Sequence, residues 1–342
     1  MLFPHVGDLF KLKYGRNMLP ELTAGLDNYL VVTDEFIYNK YKGDLKNNYK
    51  VYLVEDVEVE RLKKDEMQFD DVDCILGLGG GMAIDAAKWM AQDLKKKLHS
   101  FPTVLSTNSA FCFKSAVRVN NIVTYLGRVF PEAIYIDYDV IESAPKYLNI
   151  YGAADLMSCL TGSYDWKLNS MVTKSHKFSQ EIYDGAQYLL GMLAENIDNI
   201  KEVNDDAIYF MCEAFHWVAE NSAIMNHTMW ESASEHNCFD NYERICKKGF
   251  LHGQIISLTV YFMSLLQDNQ HERAVSMIKR LGIDVTLEGL GMTEAQLREG
   301  LLTLPEFTES HGLRYTIANA KPITEEWVDM AVAKYKKDFN VA

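Results

Sequence analysis

Short runs of apolar and β-branched residues alternate with helix-length amphipathic stretches over roughly the first 140 residues of the chain. Residues 30–33, 50–54, 74–77, 103–106 and 133–136 read as strands. Residues 34–42 and 82–97 are long enough to be crossover helices between them. Such alternation predicts a parallel sheet covered by helices. Beyond residue 141 the strand-like runs give way to helical periodicity, as in residues 183–193, 206–221 and, behind a Thr324 cap, 325–337. The change falls where Pro145 can open a helix behind Ser143. The expectation is an α/β domain over residues 1–144 and an all-α domain over 145–342, with a ligand cleft at the boundary.

A chain of 342 residues fits two domains of about 150 residues each. With 34 basic and 48 acidic side chains the net charge is −14, which argues against nucleic acid or an anionic membrane surface gripped through a general basic face. The six cysteines form no CxxC pair and read as reduced thiols of a cytoplasmic protein. The opening Met1 to Asp8 has no basic stretch leading into an apolar core, so no signal peptide is expected. The longest nearly apolar run, residues 255–266, is too short to span a bilayer and predicts a buried helix.

Two patterns carry chemistry. Around Cys74 to Lys88 an apolar strand runs into Gly79-Gly80-Gly81 and then a helix, so backbone amides and a helix N-terminus can receive a pyrophosphate. The spacing is not GxGxxG, and a tight turn without a ligand would use the same residues. Asp85 and Lys88 also suit ordinary helix electrostatics. The second pattern is dispersed: Asp155, His236 and His252 each stand beside small or polar neighbours. One carboxylate and two imidazoles suit a catalytic divalent ion such as Zn²⁺ or Fe²⁺. With a 2+ ion they sum to a local +1, opposite in sign to the molecule.

Gly79-Gly80-Gly81-x-x-Ile84-Asp85-x-x-Lys88, Phe101-Pro102-Thr103, Gly152-x-x-Asp155-Leu156, Asp165-Trp166-Lys167, Ser234-Glu235-His236, Leu251-His252-Gly253 and Arg314-Tyr315-Thr316-Ile317 occur in the order found in sn-glycerol-1-phosphate dehydrogenases. The chain resembles that branch of the iron-containing alcohol dehydrogenase and dehydroquinate synthase superfamily over nearly its whole length, and Tyr14-Gly15-Arg16-Asn17 resembles the superfamily's first strand and turn. The resemblance implies a dehydroquinate synthase-like fold with NAD(H) or NADP(H) along Gly79, Gly80, Gly81 and Asp85. Thr103, Ser106, Thr107 and Cys112 would close over the cofactor, Cys112 standing where the family has serine. It implies one divalent metal on Asp155, His236 and His252, Zn²⁺ favoured over Fe²⁺ or Ni²⁺, with Cys159 at the place of a fourth ligand in related alcohol dehydrogenases. The implied reaction is hydride transfer between NAD(P)H and a small phosphorylated ketone such as dihydroxyacetone phosphate, in a cytoplasmic homo-oligomer of phospholipid metabolism. Two substrate-facing positions depart from the family: Asn108 replaces an aspartate and Asp240 a histidine. Together with Asp155 and Lys114 they are the candidate substrate contacts, and they keep open a dehydrogenase of another hydroxyketone. A dehydroquinate synthase-like cyclase is a further alternative.

Overall fold

The structure, a computed structural model, describes residues 2–4, 7–120 and 122–341. His5 and Val6, in the stretch read for a signal peptide, lie outside the described residues. The chain divides into two compact units, each described by itself.

The first unit is built on six parallel strands: β1 (Leu12–Gly15), β2 (Tyr29–Thr33), β3 (Tyr49–Leu53), β4 (Cys74–Gly79), β5 (Lys97–Pro102) and β8 (Ala133–Asp137), in the order β1-β8-β5-β4-β2-β3. An antiparallel hairpin of β6 (Ser115–Val119) and β7 (Ile122–Leu126) completes the strands. Every residue of β2 is buried, as a strand covered on both faces requires. Its alternating side chains enter different cores. Leu30 and Val32 join Ile75, Leu62 and Met90, while Tyr29 and Val31 join Leu76, Leu22 and Phe101.

Four of the expected strands are present, with boundaries shifted by at most two residues, but residues 103–106 are not one of them. The helix expected over 82–97 ends at Asp93, because Lys95 adopts φ 54 and its successor's N–H turns back to Ala91. β5 therefore begins at Lys97, and its ladder with β4 runs from Cys74↔Lys97 to Gly79↔Pro102. Pro102 ends the pairing, leaving one further bond from Thr103 N–H to Gly79 O at 3.0 Å.

The compact units divide as follows. The first unit extends to Asn149 and takes back Val203–Ala223, most of the Asp205–Met225 helix. The reason is an aromatic and polar face: Phe210 packs on Phe3, Tyr209 on Tyr14 and Phe215 on Phe111, while Tyr14 Oη donates to Glu213 at 2.9 Å. Periodicity within a helix says which positions are apolar, not which neighbour covers them.

The second unit is helical. Residues 183–193, 255–266 and 325–337 fall inside helices Gln180–Glu202, His252–Gln267 and Glu325–Phe339, and Thr324 caps the last by accepting from Trp327 N–H at 3.2 Å. Pro145 leads into Lys146–Met157, whereas Ser143 closes the preceding turn rather than capping the new helix. Among the described residues no helix is long and apolar enough to cross a membrane. Two glycines permit close approach here. A Cβ on Gly253 would lie 2.0 Å from Tyr151 O, and one on Gly162 would lie 2.9 Å from Trp230 O.

Two predictions follow from this packing. Gly253→Ala forces the His252–Gln267 and Lys146–Met157 helices apart and should lower unfolding free energy by roughly 2–3 kcal/mol, read from urea melts; an unchanged midpoint would contradict the contact. Buried Glu66, on the helix packed against the Gly81–Asp93 helix, is pushed up to about 8 by burial and by neighbouring Asp93. Ionising it in the folded state costs stability progressively from near its ordinary value of 4.5 up to about 8. Glu66→Gln should therefore raise Tm at pH 8 and lose that advantage as pH falls toward 4.5, a trend that thermal melts across pH can reverse or sustain.

Candidate active site

Asp155 lies near the end of the Lys146–Met157 helix, His236 is the third residue of Ser234–Cys246, and His252 is the first of His252–Gln267. Their donor atoms lie within 4.8 Å of one another, and no second such trio is found among the described residues. Asp155 Oδ1 is 3.0 Å from His252 Nε2 and 3.9 Å from His236 Nε2. These distances bracket the separation of about 3.4 Å expected between two donors 2.1 Å from a tetrahedral ion. The donor set thus fits a divalent cation. Asp155 is buried and both imidazoles are partly so, which shields the site without sealing it. Phe239 meets His252 edge-on at 5.2 Å and the two imidazoles lie 5.3 Å apart.

Cys159 is fully buried, and burial together with the charges of Glu231, Glu235 and Asp155 pushes its thiol well above the ordinary range. Cys159 is not part of the donor group formed by Asp155, His236 and His252. Asp240 follows His236 by one helical turn, and its charge acts on that imidazole. Burial opposes protonation of His236, but the hydrogen bond and charge of Glu235, then Asp155 and Asp240, raise it on balance. Glu235 accepts from Ala233 N–H at 2.7 Å and Thr161 Oγ1 at 2.8 Å, and lies 2.8 Å from His236 Nδ1. The sequence reading did not single it out. Its adjacency to a candidate ligand was the available signal.

Asp165 shows what the Asp-Trp-Lys run does. Its wholly buried carboxylate accepts from Ser234 N–H at 3.2 Å and Ile317 N–H at 2.7 Å, joining the starts of two helices. Burial lifts it to about 7, against the pull of those bonds. Trp166 is buried on Phe178, whereas Lys167 is exposed over Tyr183. Arg314 donates to Thr228 at 3.4 Å, and burial lowers its pKa against the opposing charge of Glu231.

In the first unit, Gly79 ends β4 with φ 154, and a Cβ there would meet Ala83 Cβ at 2.8 Å. Gly80 and Gly81 then open the Gly81–Asp93 helix, whose first amides are free of side-chain caps. Thr107 Oγ1 would stand 3.3 Å from a Cβ on Gly81, so the loop after β5 packs directly on the turn. Asp85, expected along the cofactor, is buried and faces the loop after β5. It accepts from Ser109 Oγ at 2.8 Å and Ala116 N–H at 3.0 Å and pairs with Lys88 at 2.7 Å. Lys88 is 1% exposed and donates to the carbonyls of Ser109, Cys112 and Lys114. This pair holds the loop that carries Thr103, Ser106, Thr107, Asn108 and Cys112 against the glycine turn. Thr103 is buried; Ser106, Thr107, Asn108, Cys112 and Lys114 are half-buried. Asp34, directly after β2 and missed in the sequence, brings Oδ2 to 3.7 Å from a Cβ position on Gly79.

Residues 12–145 match the family model described as iron-containing alcohol dehydrogenase. The chain is 26% identical over 305 residues to the glycerol-1-phosphate dehydrogenase [NAD(P)+] of Methanococcoides burtonii, covering 85% of this chain and 83% of that one. With the enzyme of the same name from Aeropyrum pernix it shares 24% over 322 residues, 89% of this chain and 88% of the relative. In fold it is similar to a probable glycerol dehydrogenase from Sinorhizobium meliloti, with TM-score 0.74, 15% identity and coverage of 97% and 98%. It is also similar to the sulfoacetaldehyde reductase of Bifidobacterium kashiwanohense solved with NAD+, with TM-score 0.68, 17% identity and 98% of both chains. In sequence the chain is thus similar to glycerol-1-phosphate dehydrogenases over most of its length, with residues 12–145 matching the iron-containing alcohol dehydrogenase model, and it shares the fold of the solved structures named above.

Proposed function

We propose that the protein is a metal-dependent oxidoreductase that transfers hydride between a nicotinamide cofactor and a small phosphorylated ketone, with dihydroxyacetone phosphate and glycerol 1-phosphate as the pair. The convergence of Asp155, His236 and His252 from three helices carries this reading, and the similarity to glycerol-1-phosphate dehydrogenases along most of the chain supports it. When bound, the cofactor supplies the hydride and the divalent ion polarises the carbonyl that receives it. Zn²⁺ suits one carboxylate and two imidazoles.

The chain's own residues do the rest. Gly79 permits the turn, Gly80 and Gly81 leave backbone amides at the helix start for a pyrophosphate, and the buried Asp85–Lys88 pair keeps the Thr103 to Cys112 loop in place. Asp85 thus acts on the cofactor through the loop. Asp34 places a carboxylate at the end of β2 beside that turn, the position from which an acid accepts a ribose hydroxyl and repels a 2′-phosphate. NAD(H) is the preferred cofactor on this ground. Asn108, Lys114 and Asp240 are the proposed substrate contacts. Asn108 and Asp240 stand where the family carries a different charge, and they favour a second reading with another hydroxyketone as substrate.

Metal analysis should find one divalent ion per chain, and His236→Ala should lose it and cut kcat/KM by about 10³-fold or more. In a screen of NADH and NADPH oxidation, dihydroxyacetone phosphate should outperform dihydroxyacetone and glyceraldehyde; turnover of dihydroxyacetone without the phosphate would transfer the assignment to the second reading. Asp34→Ser keeps a helix-capping oxygen but removes the charge, so it should move the NADPH to NADH ratio of kcat/KM upward by roughly tenfold. An unmoved ratio would remove Asp34 from cofactor choice.

A further inference from the structure

We propose that Glu235 is the positioning residue of the metal site, fixing the tautomer and the aim of His236. This rests on the metal reading of Asp155, His236 and His252. Side chains adjacent in a helix do not normally face each other. Here they do, because the helix begins at Ser234 after an irregular Ala233 (φ −144, ψ −119), and Glu235 folds back over that start. One oxygen, Oε1, accepts from Ala233 N–H at 2.7 Å and faces His236 Nδ1 at 2.8 Å, while Oε2 accepts from Thr161 Oγ1 at 2.8 Å. Glu235 is 0% exposed, and Thr161 is itself buried with its carbonyl bound by Gln267. The carboxylate therefore has little freedom to turn away.

An acceptor at Nδ1 requires the proton there, which leaves Nε2 bare. Nε2 is the nitrogen directed at Asp155, 3.9 Å from Oδ1. A carboxylate behind a metal-binding imidazole also raises its basicity and adds a negative charge close to a cation. A buried carboxylate needs its lone pairs matched. Ala233 N–H, the Thr161 hydroxyl and His236 Nδ1 surround Glu235 at 2.7–2.8 Å.

The test uses the full chain stripped of metal and titrated with Zn²⁺ against a competing chelator, for wild type, His236→Ala and Glu235→Gln. Wild type should bind one Zn²⁺, and Glu235→Gln should weaken that binding by about 10–100-fold. Long-range ¹H–¹⁵N spectra of the metal-free wild type, recorded at alkaline pH where the ring is neutral and with His236 assigned from the His236→Ala variant, should show the Nδ1–H tautomer at His236, mixed with the other form in Glu235→Gln. A purely structural glutamate would leave both readouts unmoved, and that result overturns the proposal while the metal reading stands. Wild type that binds Zn²⁺ no better than His236→Ala overturns the metal reading itself. Should Glu235→Gln not fold, an Nε2–H tautomer in wild type still refutes the assignment.

Discussion

The carboxylate of Asp165 determines where two helices of the second unit begin. It is wholly buried and accepts one backbone N–H from the start of Ser234–Cys246 and another from the start of Ile317–Ala320. Helix N-termini carry unmatched N–H groups and positive partial charge, so a single carboxylate can bind two of them at once. Its rise to about 7 records the cost of that burial. Three separated sequence runs, Asp-Trp-Lys, Ser-Glu-His and Arg-Tyr-Thr-Ile, meet at this one group. His236 follows the pinned Ser234 by two residues, so its position is inherited from Asp165.

A second constraint is distance between helices. Gly253 lets the His252–Gln267 helix approach the backbone of Tyr151, one helical turn before Asp155, and Gly162 does the same for the segment preceding Ser234. A larger side chain at Gly253 would separate His252 from Asp155, which now lie 3.0 Å apart. The first unit solves a similar problem by electrostatics. Lys88, buried against Asp85 and three loop carbonyls, holds a loop that has few regular backbone partners of its own. Removing either partner would strand the other as a buried charge.

Local features were readable and long-range ones were not. The run Leu30 to Thr33 reads as a strand because alternation along a strand is a property of the segment itself. The turn at Gly79 is legible because only glycine tolerates φ 154 without strain. β5 was displaced because Lys97 to Pro102 mixes charge, imidazole and aromatic residues, and only the ladder with β4 reveals its register. Helix Asp205–Met225 gave no sign of its unit, since Phe210 and Phe215 are apolar whichever core receives them.

Residue chemistry by itself determined the α/β-then-helical order, the glycine turn and, through resemblance, the trio of candidate ligands. The tertiary structure decided that Asp155 and His252, 97 residues apart, share one point in space, that Asp85 faces a loop, and that Glu235 turns back onto His236. Segment-level rules reach only as far as a helical turn or a strand pair. Which distant donors meet depends on how closely helices pack and on where buried polar groups find partners, and neither is encoded within any one segment.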